Sequence, residues 1–419
     1  MMERTRDLDI QHGKDLVRGV RAWQELEDRR RTGLDIIDFR LAPSDWILRY
    51  SPFFYRKDVL RYFQRLAEDI HRDTSDGLYL GAKVDGLVTY LGFLTMEPRS
   101  FHPRDHFELG MTRIAGYIPR LIPGPEVDKV RGEISTNFSD RYELPFDRNG
   151  WLTFRRRHGI SPTQARKEIA ASERAIVSKV AKIVGARSLP RVTIRVVNEE
   201  TDYWLGWVRA NSSDTEFRIN EADINSERYY DGVPVRMLIH ELGGHGIQAR
   251  SFADNTKEES VNPGRVETTV PGVEQWLLEA WASEISRLYP SVFDGLTDER
   301  RQNAEMAVEL QYLTDTAYTN AQYELLISGR DRKVVVGELA DLLPHEPTAR
   351  IELILELMTT RLDRMFYLPV YGDGSFFLRQ HVESLPEEAK RRFTNEIHRQ
   401  PMTPDQVKSL VAQLQLSNS

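Results

Sequence analysis

The spacing of hydrophobic residues constrains the fold of this chain more than any other feature. Over most of the 419 residues, apolar side chains recur at the spacing of amphipathic helices. One short stretch departs from this pattern. There Val192, Ile194 and Val196 alternate with polar residues, and two more apolar runs follow at 203–210 and 215–220. Alternation with a period of two predicts strands. We therefore expect a mainly α fold of the α+β class, with one small antiparallel sheet in mid-chain.

Capping signals mark the helices on both sides of this sheet. Ser161 and Pro162 supply an N-cap and a first-turn proline, and Gly185 can end the helix that follows them. Pro234 opens another helix after the sheet, and the rest of the chain returns to helical spacing. We divide the chain near residue 150, into a helical N-terminal region (1–150) and a second part (151–419) that contains the sheet.

Composition excludes several classes of protein. Lys and Arg number 57 against 64 Asp and Glu, and the net charge of -7 argues against a nucleic-acid binder held by bulk electrostatics. The absence of cysteine excludes disulfides, thiolate catalysis and Cys-based zinc sites. The N-terminus has no apolar stretch, and no later run approaches the ~20 apolar residues of a membrane span. We expect a cytoplasmic protein with no membrane partner.

One local motif carries chemical content: His240-Glu241-Leu242-Gly243-Gly244-His245. Zinc-hydrolase helices commonly place two histidines four residues apart, on one face. Here the spacing is five, which puts the two rings about 140° apart on a regular helix. A π-bulge would return both rings to one face, and the two glycines, each about 1 kcal/mol unfavourable in mid-helix, fit that interpretation. The alternative is a helix that contains two histidines and breaks at the glycines.

A third, acidic ligand is expected from the later helix VEQWLLEAWASEISRLY. Glu279 lies among apolar and small residues, where a carboxylate is costly to bury unless it binds a cation, and it is our first choice. Glu284 comes next and Glu274 is a further rival, because each also has a plausible solvent-facing position.

HELGGH, followed further on by LLEAWAS, resembles the His-Glu-x-x-x-His zinc carboxypeptidases of the tubulin-tyrosine carboxypeptidase type. The run 192–223 also resembles the strand-turn-strand segment before that family's motif. The second motif departs, because the Glu-Gly-Leu-Ala of the Gln-Glu-Gly-Leu-Ala motif in bacterial relatives is Glu279-Ala280-Trp281-Ala282 in this chain. It is closer to the Glu-Gly-Trp-Ala of another group of bacterial zinc carboxypeptidases in the same gluzincin clan. The resemblance covers about residues 160–380 and implies a gluzincin-like metallopeptidase with its sheet beside the zinc-binding helix.

Carried over by position, the resemblance implies that His240, His245 and Glu279 bind one Zn²⁺ per chain and that Glu241 is the general base. Both groups of relatives have a Tyr-x-x-Gly where this chain has Tyr371-Gly372-Asp373-Gly374, which implies a tyrosine hydroxyl that faces the metal. A tyrosine packed only for its size is the alternative. By analogy with related peptidases, residues 1–150 would form a lid or wall of the cleft, and 151–419 the catalytic domain.

Substrate contacts are less sharply defined by the sequence. The strand from Trp207 to Asn211 would hold the substrate backbone. A carboxypeptidase also needs a cation or amide cluster for the terminal carboxylate, and Arg379, Arg250 and the turn Asn211-Ser212-Ser213 are the candidates.

The sequence is compatible with three functions. The first is a zinc metallopeptidase, more specifically a carboxypeptidase that acts on a peptide or protein C-terminus. The second is a zinc hydrolase of a small amide or modified peptide in a biosynthetic or catabolic pathway. The third is a non-catalytic regulatory protein that retains the zinc scaffold. Glu241 argues against the third, since a scaffold needs the ligands but not the base. The sequence does not indicate the oligomeric state.

Overall fold

The computed structural model describes residues 2–42, 51–97, 99–198, 205–211, 214–222, 228–258 and 260–417. About 69% of the structure is helical and its strands form one small sheet, which confirms a mainly α fold of the α+β class. The predicted turn at Ser212-Ser213 and the start of the predicted strand at Tyr203-Trp204 lie outside the described residues.

The helices before the main strands follow the capping signals of the sequence. The helix after Ser161 has one of its free amides, that of Gln164, capped by the serine side chain, and it ends at Gly185 in the left-handed conformation (φ 66°), as predicted. In chain order these helices are α1 (Met2–Arg30), α2 (Arg56–Asp69), α3 (Ser75–Thr95), α4 (Pro103–Gly110), α5 (Gly124–Tyr142), α6 (Arg148–His158) and α7 (Pro162–Val184), with a π-helical segment at Met111–Ala115 after α4.

The strands are β1 (Ile37–Arg40), β2 (Arg191–Val197), β3 (Gly206–Asn211), β4 (Asp214–Asn220) and β5 (Glu267–Thr269).

The later helices carry the motifs found in the sequence. They are α8 (Val233–Met237), α9 (Ile247–Lys257), α10 (Pro263–Val266), α11 (Gln275–Leu288), α12 (Asp298–Leu326), α13 (Arg332–Leu342), α14 (Thr348–Thr360), α15 (Leu362–Met365), α16 (Pro369–His381), α17 (Glu387–Arg399) and α18 (Pro404–Leu416), with a π-helical segment at Leu238–Gly246 and a 3₁₀ turn at Pro290–Phe293.

The sheet is mixed, not antiparallel as the sequence predicted. Its strand order is β2-β4-β3-β1-β5, with β2–β4 and β1–β3 parallel and β3–β4 and β1–β5 antiparallel. Alternating hydrophobicity indicates which residues form a strand, but it does not specify the neighbour or its direction. β1 was not predicted. It comes from the N-terminal region and pairs with β3 through Phe39–Ala210 and Arg40–Asn211.

One hydrophobic core runs through the whole chain. It contains the fully buried Trp23 of α1 and Phe63 of α2 together with Trp276 and Trp281 of α11. Residues before and after position 150 share this core, and the division near residue 150 stays a prediction. The N-terminal region supplies both a strand of the sheet and part of the core around α11.

Two buried ion pairs join the N-terminal helices to the segment that leads into α11. Lys83 of α3 lies 2.8 Å from the Glu274 carboxylate, and these side chains are 1% and 0% exposed. Lys83 also donates to the backbone oxygen of Glu267, and Arg21 of α1 pairs with the Glu267 carboxylate. Because Glu274 directly precedes α11, these contacts set the position of that helix against the N-terminal region.

Replacement of Lys83 by methionine should destabilise the protein strongly. The substitution leaves the Glu274 carboxylate buried without its cation, which generally costs about 3–5 kcal/mol of unfolding free energy. The double variant Lys83→Met/Glu274→Gln should recover part of this loss, since the amide oxygen can still accept from the Thr269 amide. Chemical denaturation measures both values, and a loss below about 1 kcal/mol in the single variant would contradict this account.

Candidate metal centre

A π-helical segment brings the two motif histidines together. Residues Leu238–Gly246 form π turns between α8 and α9, and the ring centroids of His240 and His245 are 4.9 Å apart. In a π turn residues i and i+5 are successive along one face, so the five-residue spacing no longer separates the rings. The π-bulge predicted from the sequence is confirmed, and the alternative of a helix broken at the glycines is wrong.

The segment lies unusually close to α11. A Cβ atom on Gly244 would lie 2.5 Å from the Ala282 Cβ and 2.6 Å from its Cα, so any side chain at position 244 would push the two helices apart. A Cβ atom on Gly243 would lie 2.9 Å from Val180 of α7. The glycines thus have a packing reason that the sequence analysis did not foresee, and Ala282 is one of the small residues expected to admit a neighbouring helix.

Glu279 of α11 meets both histidines. Its Oε2 atom lies 3.5 Å from His240 Nε2 and 3.1 Å from His245 Nε2, and each of the three residues offers one ligand atom within 4.8 Å of the others. Two imidazoles and one carboxylate are the donor set of many catalytic zinc sites. The other ring nitrogens differ: His240 Nδ1 lies 3.4 Å from Ser283 Oγ, whereas His245 Nδ1 is buried without a hydrogen-bond partner in the described ranges. These residues fit a metal ion.

The two rival carboxylates have other partners. Glu274 pairs with Lys83, as described above. Glu284 lies 2.7 Å from the guanidinium of Arg379, which also contacts Glu309 at 2.7 Å. Of the three acidic residues that the sequence left open, the structure brings Glu279 to the histidines.

Two tyrosines extend the site beyond the three ligand candidates. The Tyr367 hydroxyl donates to Glu279 Oε1, and it lies 3.0 Å from the Tyr371 hydroxyl. The Tyr371 ring stacks beside that of His240, with centroids 6.2 Å apart and planes inclined by 11°. The structure therefore places Tyr371 at the site, as the resemblance implied. Tyr367 was missed, although its spacing of four from Tyr371 was a readable signal.

Burial and charge oppose each other at these side chains. Burial raises the pKa of Glu279, but His245 and hydrogen bonds from both histidines outweigh burial, so the pKa lies well below its ordinary value. Burial lowers the pKa of His240 to about 4. Burial also lowers the pKa of His245, but the Glu279 carboxylate outweighs it and raises the pKa to about 9. A divalent cation would have to displace a proton from His245, so metal affinity should rise with pH.

Glu241 is a suitable proton acceptor. Burial raises the pKa of its carboxyl group to about 8, close to the value that suits a general base near neutral pH. Its side chain lines two adjoining cavities, one of about 270 Å³, which we call the cleft, and one of about 80 Å³. The two cavities share four of their lining residues, which are Gly206, His240, Glu241 and Tyr371.

The N-terminal region forms part of the cleft wall. Ile37 and Asp38 of β1 line it, and Phe39 packs edge-on against His245 with ring centroids 6.0 Å apart. Burial raises the pKa of Asp38 to about 6, and its carboxylate accepts from Gln275 Nε2 at 3.0 Å. These residues of the N-terminal region lie beside the cleft, and the lid or wall expected for residues 1–150 stays a prediction.

Of the residues predicted to contact the substrate, one lies in the cleft and the others lie outside both cavities. Trp207 of β3 lines the cleft. Asn211 does not line it, and its side-chain oxygen accepts from the Asp214 amide at 2.9 Å. The structure does not bring Arg379 to either cavity, because Glu284, Glu309 and the face of Tyr312 enclose it. Arg250 contacts Ser188 and Asp254 instead.

Comparisons with known proteins give a shared fold and no family. No protein-family model matches the chain, and no curated protein matches it. A putative lipoprotein from Colwellia psychrerythraea has a similar structure, with a TM-score of 0.54 and 13% identity over 86% of this chain and 67% of that one. A putative lipoprotein of unknown function from Shewanella oneidensis has a TM-score of 0.49 and 13% identity, over 86% of this chain and 71% of that one. At this identity the first likeness shows a common fold and nothing about chemistry.

No helix within the described ranges has the length and apolar character that a bilayer crossing requires.

The close helix contact generates a prediction with an internal control. Gly244→Ala should destabilise the protein by about 1–3 kcal/mol, the usual effect of overpacking, and should weaken zinc binding because Glu279 moves away from the histidines. Gly132→Ala in α5 is the control, since no atom lies within 4 Å of its added Cβ, and it should be neutral or slightly stabilising. Thermal unfolding and zinc titration measure both effects. Equal behaviour of the two variants would contradict the proposed role of the contact.

The assignment of Glu279 as the third ligand can be tested by two substitutions. Glu279→Gln should weaken zinc binding by about 100-fold or more, because a charged ligand is lost, whereas Glu284→Gln should change it less than about 10-fold. Competition with a chromogenic chelator gives both affinities. The reverse order would move the ligand to Glu284.

Proposed function

We propose that the protein is a zinc-dependent metallopeptidase, and more specifically a carboxypeptidase that removes residues from a peptide or protein C-terminus. The observation that carries this proposal is the convergence of His240, His245 and Glu279 next to the buried Glu241, at the junction of two cavities. A metal site without catalysis would need the first three residues but would have no use for a buried carboxylate lining both cavities.

In this proposal each side chain has a defined role. His240, His245 and Glu279 would hold one Zn²⁺, while Tyr367 orients the Glu279 carboxylate through its second oxygen. Zinc bound there would polarise the scissile carbonyl and increase the acidity of a water molecule. Glu241 accepts a proton from the attacking water and transfers it to the leaving amine. Tyr371 donates a hydrogen bond to the carbonyl oxygen as negative charge develops on it.

The cleft offers a place for an extended chain. The ladder between β1 and β3 covers Ala210 and Asn211, whereas Gly206, Trp207 and Val208 at the start of β3 line the cleft. Backbone groups at this part of β3 can pair with a substrate strand by β-augmentation. The substrate would therefore lie along β3 and reach the metal centre at Gly206.

Hydrolysis of a small amide is the alternative within the same chemistry. It would use the same ligands and base, and it is favoured by the small volume of the second cavity, about 80 Å³. Activity on a small amide without activity on peptides would select it. The cytoplasmic location expected from the sequence stays a prediction.

The metal content of the purified, untreated protein is the first test. We expect about one zinc per chain by elemental analysis, lost in His245→Ala, since three ligands define a single site. Protein prepared without chelators that holds no metal would overturn the proposal.

Glu241→Gln then separates catalysis from metal binding. The variant should keep its zinc but lose at least about 1,000-fold in kcat, because the base is removed while the ligands stay. Peptide hydrolysis assays and elemental analysis on the same sample measure the two properties. Full activity in a zinc-loaded variant would remove Glu241 from the mechanism.

A further inference from the structure

The two cavities that meet at the candidate metal centre differ in size. The cleft measures about 270 Å³ and the smaller cavity about 80 Å³, and Gly206 lines both of them. A peptide that lies along β3 and reaches the metal centre at Gly206 would have its longer part in the cleft. The part beyond the cleaved bond would enter the smaller cavity, which has room for much less of a chain.

The smaller cavity combines apolar walls with a few polar groups. Met237, Ile354 and Met358 supply apolar surface, whereas Arg236 and Asp315 supply charge. Ligand sites commonly have this composition, because a few polar groups are enough to orient a ligand that is otherwise held by apolar contacts. The charged groups therefore indicate which end of a substrate this cavity suits.

Most arginines around the two cavities have acidic partners. Each of the four that line the cleft lies between 2.5 and 3.5 Å from a carboxylate, and the pairs are Arg209–Asp35, Arg218–Glu216, Arg361–Asp363 and Arg364–Asp363. In the smaller cavity, Arg350 lies 2.6 Å from Glu346. Arg228 also has interaction partners, and the Glu346 carboxylate is one of them. The charges of these six arginines are therefore already offset.

Arg236 differs from these six. It lies in α8, four residues before His240, so its side chain starts about one helical turn from the first ligand candidate. It is partly buried at the smaller cavity, and it has no hydrogen-bond or ion-pair partner among the residues that the structure describes. A partly buried cation is unfavourable unless an anion accompanies it, and a bound ligand can supply that anion.

Two acidic residues face the same cavity as Arg236. Glu241 is the base of the proposed mechanism. Burial raises the pKa of Asp315 to about 7, and the Gln311 amide and the Arg236 charge act in the opposite direction. Gln311 donates to the Asp315 carboxyl group at 2.7 Å. Because part of the Asp315 population keeps its proton near pH 7, this residue offers less than a full negative charge to a substrate ammonium group. The cavity therefore suits an anion better than a cation.

We propose that the smaller cavity holds the last residue of the substrate and that Arg236 binds the terminal carboxylate of that residue. Consecutive Cα atoms of a peptide are about 3.8 Å apart, so this carboxylate lies only one residue beyond the bond that a carboxypeptidase cleaves. The cation that binds it must therefore lie close to the base and the metal ligands, and Arg236 lines the same cavity as Glu241 and His240. A guanidinium group binds a carboxylate by charge-assisted and often bidentate hydrogen bonds.

This assignment replaces the cations expected from the sequence, because Arg379 and Arg250 line neither cavity. It rests on the proposed function, since it assumes that the cleaved bond lies at the metal centre. It concerns the charged end of the substrate and leaves the preferred side chain open.

The test compares the N-acetylated tripeptide Ala-Ala-Leu as the free acid and as the C-terminal amide. With zinc-loaded wild-type protein, kcat/KM for the acid should be at least about 10-fold higher than for the amide, the scale of one charge-assisted hydrogen bond. Arg236→Gln should lower kcat/KM for the acid by a similar factor, and Arg236→Lys, which keeps the charge, should lose less. Arg187→Gln is the control, since that arginine is 61% exposed and lies outside both cavities.

Binding gives a readout that does not require turnover. Calorimetry with zinc-loaded Glu241→Gln protein should show that the acid binds at least about 10-fold more tightly than the amide. Arg236→Gln in the same background should make the two affinities equal, while elemental analysis shows that the zinc is retained. The comparison of acid and amide in the Glu241→Gln protein does not depend on the folding of any variant at position 236.

The possible outcomes separate this inference from the proposed function. Cleavage of the acid with a preference that survives Arg236→Gln would overturn the inference and leave the proposed function standing. Equal affinity for the acid and the amide would overturn the inference and leave only zinc-dependent hydrolysis. Tighter binding of the tripeptide with a free N-terminus than of its acetylated form would assign the cavity to an ammonium group at Asp315, which also contradicts the inference. Acid-selective binding that depends on Arg236, without cleavage of any peptide, would support the role of Arg236 and overturn the proposed function.

Discussion

The contact between the π-helical segment and α11 is the constraint on which the site depends. Two of the ligand candidates lie on the segment and the third on α11, so their nitrogen and oxygen atoms meet only if the two backbones approach closely. Gly244 and Ala282 permit this approach because neither carries a side chain beyond Cβ. The π turns fix the direction of the two imidazoles, and the helix contact fixes the distance to Glu279. The π turns and the absence of a side chain at Gly244 therefore together create the arrangement of His240, His245 and Glu279.

The acidic residues in and just before α11 show how the partners of a buried carboxylate distinguish a candidate metal ligand from a structural charge. Glu274, Glu279 and Glu284 are all buried, at 0%, 2% and 1% exposure, so burial alone does not identify the functional one. Their partners do. Two of them face a lysine or an arginine and form ion pairs, whereas Glu279 faces two imidazoles and a tyrosine hydroxyl. An imidazole, unlike a guanidinium, can release its proton and bind a metal ion, so the environment of Glu279 is the one suited to a metal ion.

The sequence predicted the parts of the site that have local signals. The histidine pair, the need for a π turn and the preference for Glu279 followed from spacing and from the small neighbours of the glutamate. The strand β1 and the cavity of about 80 Å³ had no such signal, because their residues come from separate segments that only the folded chain brings together. Arg379 had a local signal, its place next to a glycine-rich segment, and was predicted to bind the substrate. That signal does not show that Glu284 and Glu309 enclose its guanidinium in the folded chain. Tyr367 was recoverable from its distance to Tyr371, but only once the role of Tyr371 was considered.

The pairing of β1 also has a consequence for the order in which the protein acquires its structure during synthesis. Ile37 pairs with Thr269, and Phe39 with Ala210, so this strand has no partner until more than half of the chain has left the ribosome. Contacts between such distant residues form late and slow folding, because a long loop must close before they stabilise anything. The N-terminal helices can form early, but Phe39 can reach His245 only when the sheet is complete. The candidate metal centre is thus among the last regions of the nascent chain to be assembled, and a truncated chain that ends before β5 would carry both histidines without Glu279.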